Sequence, residues 1–289
     1  MFDKPTIAIT GANGFIGKYL VNYFQQRDYK VIAIIRQYHL DDNRPAFYRY
    51  FDLASPSNNI DLAGCDILIH CAYIKNSNGE DSDHININGT KSLYGLSKAA
   101  GVGKFIFISS LSAHEKAVSH YGQVKLKIES ILDDRKDLVL KPGLVLGNGG
   151  LFGSILGIIQ NSRILPLIDG GRQKIQGIDV EDLAECLKAA VDNDVTGKYV
   201  LAADEEFTLL DLARTIRDKL KKKIWFVPIP FWLASFTLSL FDAFHLPMPV
   251  NKENLLGLRQ NVNWSPGDCA RVFGVRPRSY IYSINRLLS

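Results

Sequence analysis

Short apolar runs and longer amphipathic stretches alternate along the first half of the chain. Thr6 to Thr10 is a β-prone run that stops at Gly11. Phe15, Ile16, Leu20, Val21 and Phe24 then recur at helical spacing, which predicts a helix to about Gln26. Lys30 to Ile35 is a near-continuous β-branched run, Phe47 to Phe51 a weaker strand, and Asp66 to Cys71 a stronger one. A helix is expected over Ile87 to Ala100, a strand over Lys104 to Ile108, a helix over Tyr121 to Leu132 and a strand over Leu138 to Leu140. Strands that are apolar on both faces and separated by amphipathic helices predict a parallel sheet covered on both sides. The fold class expected is therefore α/β, a doubly wound parallel sheet.

Past Gly150 the alternation loosens. Phe152 to Ile159 is spaced as a short helix, and Asp179 to Val191 as a helix entered through an acidic turn. Lys198 to Leu201 returns to strand character. Thr208 followed by Asp211 is an N-terminal capping pattern for a helix to about Leu220, and Lys221 to Lys223 suit that helix's negative end as a solvated terminus. The uncharged stretch from Trp225 to Phe241 is interrupted by Pro228 and Pro230. It predicts a strand over Ile224 to Val227 and a helix from about Phe231 to Phe244. Such a helix falls short of the roughly 20 residues a bilayer span requires. Trp232, Phe236, Leu240 and Phe244 share its apolar face, so Trp232 and Phe236 are expected to be mostly buried within the protomer, with a homo-oligomer or partner surface and peripheral membrane contact as the alternatives for this stretch.

At 289 residues the chain has room for one large domain, or for a main domain with a smaller lobe. No internal repeat or low-complexity linker divides it. The net charge of +4 is too mild to suggest a nucleic-acid partner. Cys65, Cys71, Cys186 and Cys269 lack metal-site spacing and are expected to be reduced, mostly buried thiols. The N-terminal residues do not follow the order of a signal peptide, so a cytoplasmic protein is expected. The six histidines show no HxH or HExxH pattern, and no metal is expected. His70 reads as a packed structural histidine, and Asp179, Glu181 and Asp182 as helix initiation and packing.

Three groups of residues carry chemistry. Between the first strand and first helix, Gly11, Gly14 and Gly17 fall three apart. Gly11 suits a tight turn, Gly14 leaves room for a pyrophosphate, and Gly17 lets helix and sheet approach. The helix N-terminus then offers free N–H groups to phosphates. Arg36 follows the second strand, where an acidic residue would bind the ribose hydroxyls of NAD. Its guanidinium instead suits a 2'-phosphate, which favours NADP(H) while leaving NAD(H) open. Asp52 ends the third strand, where it either contacts adenine or caps its own turn. Finally, Tyr121 and Lys125 lie one helical turn apart, and Ser109 and Ser110 end the strongest strand. An ammonium beside a phenol favours the phenolate and lowers its pKa, which ordinarily lies near 10.

Together these segments resemble an extended short-chain dehydrogenase/reductase of the NAD-dependent epimerase/dehydratase type. Thr10 to Gly17 resembles the family's TGxxGxxG. Asp66 to Ala72 resembles its D-x-V-I-H-x-A strand, Asn86 to Thr90 its NVxGT helix, and Ser109-Ser110 its paired-serine strand end. Lys141-Pro142-Gly143 stands at its R-P-G position, and Ile178 to Asp182 resembles its V-x-V-x-D segment. The resemblance implies a Rossmann-like sheet with a smaller C-terminal substrate-binding lobe. Residues 1–150 would form the main part of the dinucleotide domain, with 151–177 the first lobe segment, 178–205 the return and 206–289 mainly lobe. It further implies cofactor contacts at Gly11, Asn13, Gly14, Phe15, Ile16, Gly17, Arg36, Asp52, Ala72, Asn86, Tyr121 and Lys125, with Ser110, Tyr121 and Lys125 catalytic.

Two departures stand out. The segment between Ser110 and Tyr121 is shorter than in sugar-nucleotide epimerases. With Val227 to Pro230, Leu246 to Pro249 and Gln260 to Val262, it resembles an atypical branch related to the NADPH-binding accessory subunit of respiratory complex I. Lys141 in place of arginine removes a two-toothed donor. The expected function is an NAD(P)-dependent oxidoreductase or epimerase acting on a small-molecule carbonyl or secondary alcohol, with a nucleotide-sugar-like substrate among the options. The alternative is a non-catalytic NADP(H)-binding assembly or structural protein. A homo-oligomer is left open, and no integral membrane segment is expected.

Overall fold

In a computed structural model, which describes residues 4–36, 47–55, 60–74, 79–233 and 268–289, the alternation read from the sequence becomes a layered sheet. The first part of the chain forms β1 (Ile7–Thr10), α1 (Phe15–Gln25), β2 (Val31–Ile35), β3 (Phe47–Tyr50) and β4 (Ile67–His70). It continues through α2 (Gly79–Ala99), β5 (Lys104–Ile108), α3 (His120–Glu129) and β6 (Leu138–Pro142). The rest supplies β7 (Leu144–Leu146), α4 (Gly150–Asn161), β8 (Ile164–Ile168), β9 (Lys174–Asp179), α5 (Val180–Asp192) and β10 (Gly197–Leu201). Then come β11 (Glu206–Thr208), α6 (Leu209–Lys219), β12 (Trp225–Ile229), α7 (Asp268–Phe273) and α8 (Tyr280–Leu287).

Seven strands make one sheet in the order β10-β6-β5-β4-β1-β2-β3. β1 pairs in parallel with both β2 and β4, and the parallel ladder continues outward through β3, β5 and β6. The strand order reverses beside β1, so the crevice at its C-terminal end is the place where such a sheet binds a ligand. Every residue of β1, β2, β4 and β5 is buried, as expected for strands covered on both faces. Leu68, Leu93, Phe105 and Phe107 are fully enclosed in the core beneath them.

The chain divides into two units. The first comprises Met1–Ala113, Gln123–Lys141 and Leu187–Tyr199, and the second His114–Gly122, Pro142–Cys186 and Val200–Ser289. The second unit contains a three-stranded sheet, β11-β9-β7, and a two-stranded parallel sheet of β12 and β8. Its core joins Phe152 and Ile159 of α4, Phe207 of β11, Leu212 and Ile216 of α6 and Ile284 of α8. The capping pattern at Thr208 forms as expected. The Asp211 N–H donates to Thr208 Oγ1 at 3.0 Å, and the Thr208 N–H donates to Asp211 Oδ2 at 3.0 Å.

Several expectations need correction. α2 starts at Gly79, well before Ile87, because its first turns are polar and carry no apolar periodicity. Asp179 ends β9 rather than opening α5. Its carboxylate accepts the Glu181 N–H at 2.9 Å and so initiates the helix from outside. The short strands β7, β8, β9 and β11 have no counterpart in the sequence reading, since each owes its form to pairing with a distant partner. Trp232 is 70% exposed, contrary to the expected burial; it follows β12, whose residues are mostly exposed. Phe236, Leu240 and Phe244 lie outside the described residues.

Candidate functional site

A groove of about 390 Å³ opens at the C-terminal ends of β1, β2 and β4 in the first unit. Its floor is the turn after β1. Gly11 has φ +65°, and a Cβ there would come within 2.9 Å of the Ala72 backbone. A Cβ on Gly17 would sit 2.2 Å from the Gly11 carbonyl oxygen, so only glycine allows α1 to leave the turn where it does. Gly14 is the N-cap of α1, with no side-chain cap and no acidic residue in the first turn. The helix therefore presents its positive end without a competing anion, which fits a pyrophosphate.

The groove brings together Gly11, Asn13, Gly14, Arg36, Asp52 and Ala72 among the expected cofactor residues. Arg36 is exposed at the rim. Asp52 also caps its own turn, accepting the Ala54 N–H at 3.0 Å. Phe15, Ile16 and Gly17 shape α1 and do not line the groove. Asn86 stands behind it, 1% exposed. Its side chain accepts the Ile74 N–H at 2.8 Å and donates to the Ile74 oxygen at 2.9 Å, which pins the strand exit that forms one wall.

A buried polar network holds the β1 and β4 ends together. Thr10 Oγ1 accepts the N–H groups of Cys71 and Ala72 at 3.2 and 3.3 Å, so its own proton points to His70 Nδ1, 2.7 Å away. That leaves the His70 Nε2–H to donate to Thr90 Oγ1 at 3.0 Å. Burial, with a smaller push from Lys125, holds the His70 pKa down at about 3, so the ring is neutral. The sequence reading of His70 as structural agrees with this placement.

Two of the catalytic candidates, Ser110 and Lys125, stand at the end of β5. Lys125 is buried on α3, and its ammonium donates to the Ile108 oxygen at 2.8 Å. The rings of Phe107 and Tyr73 lie 4.4 and 5.1 Å from that nitrogen. Tyr121 is half-buried in the first turn of the same helix, one turn before Lys125. Ser110 Oγ accepts the Ser112 N–H at 3.1 Å, which shapes the turn that follows β5. Ser109 points the other way, donating to the buried Glu129 carboxylate. Glu129 also pairs with Lys141 at 3.2 Å, and Lys141 donates to the Ala113 oxygen. The turn from Ser109 to Ala113 is thus tied at both ends to one buried ion pair.

Sequence reasoning missed Glu129 and Tyr73. Glu129 stands four residues after Lys125 on the same helix, a spacing that could have revealed it. Tyr73 follows the Asp66–Ala72 motif directly and carries no signal of its own. The second-unit carboxylates are engaged with arginines: Asp179 with Arg286 at 2.6 Å, and Asp182 with Arg278 through the guanidinium and its backbone N–H. Among the described residues no cluster of ligands could hold a metal ion, and no helix is long and apolar enough to cross a membrane.

This combination of doubly wound sheet, glycine turn and rim defines a dinucleotide-binding α/β protein. The chain belongs to the NAD dependent epimerase/dehydratase family, whose model matches residues 7–202. It is accordingly an NAD(P)-dependent enzyme of the oxidoreductase and epimerase type. It is 31% identical over 293 aligned positions to a ceramide reductase of Caulobacter vibrioides, with 94% of this chain and 89% of that protein covered. It is 24% identical to a mitochondrial NADH dehydrogenase [ubiquinone] 1 alpha subcomplex subunit 9 of Arabidopsis thaliana, over 87% of this chain and 67% of that protein. The fold is that of a UDP-glucose 4-epimerase from Thermotoga maritima, with a TM-score of 0.75, 18% identity and coverage of 98% and 97% of the two chains.

Two measurements check the buried network. His70 has its folded pKa depressed below the unfolded value of 6.5, so it favours the folded state above that pH and loses this contribution as pH falls toward about 3. Urea titrations between about pH 6.5 and pH 5 should show wild type losing stability more steeply than His70→Gln, by up to about 1.4 kcal/mol per pH unit. Equal slopes would mean that the imidazole is not held neutral. Lys141→Met should cost about 3–5 kcal/mol by leaving Glu129 buried and unpaired, and Glu129→Gln combined with Lys141→Met should recover much of that loss. Additive losses in the double variant would count against a coupled pair.

Proposed function

We propose that the chain is an NADP(H)-preferring oxidoreductase that interconverts a carbonyl and a secondary alcohol, with Ser110, Tyr121 and Lys125 as its catalytic groups. The observation that carries this reading is the setting of Lys125. Its ammonium is buried, aimed by the Ile108 oxygen and spaced one turn from a half-buried tyrosine. A tyrosine one helical turn from a fixed ammonium suits proton transfer, since a neighbouring cation favours a phenolate. When bound, the dinucleotide supplies or accepts the hydride at the reacting carbon. Tyr121 gives its proton to the carbonyl oxygen during reduction and takes it back during oxidation. Ser110 orients that oxygen and polarises it by hydrogen bonding, while Lys125 also offers donors to the cofactor ribose. The groove of the first unit holds the cofactor.

Within this class, a lipid-like carbonyl is a better substrate reading than a nucleotide sugar. The relative at 31% identity is named for reducing ceramide. The short turn after Ser110 and the use of Lys141 to hold that turn also leave the chain without an arginine fork at this position. The likeness to a respiratory-complex subunit favours a second reading, a non-catalytic NADP(H)-binding assembly protein. Turnover separates the two.

Tyr121→Phe should bind NADPH as wild type does in a fluorescence titration. It should lose about 10²- to 10⁴-fold in kcat on a reducible lipid ketone. Full activity in that variant would remove Tyr121 from the reaction, and absence of turnover by wild type across lipid and sugar carbonyls would favour the assembly reading. Arg36→Ala should weaken NADPH by about tenfold or more while leaving NADH nearly unchanged, as expected for loss of a charge-assisted contact. Equal affinities of wild type for the two cofactors would reject a phosphate-reading role.

A further inference from the structure

Among the described residues, nothing covers one face of the two-stranded sheet of the second unit. β12 and β8 run parallel, with Trp225 opposite Ile164, Val227 opposite Pro166 and Ile229 opposite Ile168. Partners in register project to the same side of a sheet. One side therefore carries six apolar residues in three rows. The intervening residues Leu165 and Leu167 point into the core and are 3% and 2% exposed. The outer rows are open: Trp225 is 77% exposed, Ile164 53% and Val227 40%, with Pro166 exposed beside them. A tryptophan this exposed, on an apolar sheet face, has little packing among the described residues.

Charge at the rim indicates what covers it. Arg163 precedes Ile164, and its carbonyl accepts the Trp225 N–H at 2.8 Å, which fixes it beside the tryptophan. Lys221, Lys222 and Lys223 approach the same end, and all four cations are exposed. Lys222 donates to the Gln160 oxygen at 3.0 Å, and none of the four is ion-paired among the described residues. Asp169 stands at the opposite end and accepts the Phe231 N–H at 3.1 Å, and Asp218 near the lysine end is paired with Arg217 at 2.7 Å. An exposed tryptophan flanked by basic side chains matches the headgroup region of a bilayer that carries negative charge. The indole lies among the headgroups there, and the long cationic side chains reach phosphates.

We infer that the face formed by Ile164, Pro166, Trp225 and Val227, with Arg163 and Lys221–Lys223 at its rim, docks the protein on an anionic phospholipid surface. The contact is peripheral, since it involves side chains of a short sheet and no spanning segment. It does not depend on the reaction proposed above and would hold for either reading of the function.

The full chain is tested by flotation with phosphatidylcholine vesicles, with and without phosphatidylglycerol. Wild type should float with the anionic vesicles, remain behind with the neutral ones, and lose binding as salt is raised. Its tryptophan emission should shift to the blue only with the anionic vesicles. Trp225→Ser and the pair Arg163→Glu/Lys223→Glu should each reduce the vesicle-bound fraction by tenfold or more. Thermal unfolding should stay unchanged, because all three side chains are exposed. Failure of wild type to bind anionic vesicles would overturn the inference, as would binding that survives both sets of substitutions. A dimer in gel filtration that Trp225→Ser dissociates, without vesicle binding, would assign the face to a second copy of the chain instead.

Discussion

The groove depends on how closely three backbone segments approach one another. At Gly11 the turn after β1 passes within a side chain's first atom of the Ala72 backbone, and at Gly17 the helix returns against the Gly11 carbonyl. This contact places the N-terminus of α1 over the ends of β1 and β4, and it aligns Thr10 Oγ1 with the N–H groups of Cys71 and Ala72. Side chains as distant as Asn86 and His70 serve the same arrangement from behind, by satisfying the polar groups the close approach buries. An unmet donor or acceptor there would cost about as much as a lost core contact.

Buried charge is used sparingly and always with several partners. Lys125 has a carbonyl and two aromatic faces, and Lys141 has a carboxylate and a carbonyl. The two lysines do different work. Lys125 stands one helical turn after Tyr121, while Lys141 and Glu129 brace the turn that carries Ser110. A compact ammonium can serve as that brace, since it must reach one carbonyl and one carboxylate rather than grip a planar anion. The second unit uses the same economy with arginine: Arg278 and Arg286 tie α8 and the segment before it to the acidic start of α5. Within this unit, the face of β12 and β8 left open among the described residues is a physical exception.

Much of the first unit was legible in the sequence because its signals are local. β-branched runs buried on both faces, helical spacing after each, and glycines in a strand-to-helix turn all act over a few residues. The paired Tyr121 and Lys125 could be read the same way, and so could His70, whose strand position implied a packed role. The polar start of α2 escaped because its first residues are polar and leave no apolar period, and because Asn86 bonds across to Ile74. The exposure of Trp232 escaped because helical spacing reports a face but not whether anything covers it.

The sequence by itself determined the parallel sheet, the glycine turn after its first strand and the arginine that follows its second, since each follows from steric or chemical rules acting within one segment. Only the tertiary structure decided that Glu129 and Lys141 meet beneath Ser109. The same holds for the small strands, which owe their form to one another, and for the row of Trp225, Val227, Ile164 and Pro166, which faces outward. Those outcomes depend on pairing between segments tens of residues apart, where hydrogen-bond register and burial, rather than local preference, fix which side of each strand meets the core.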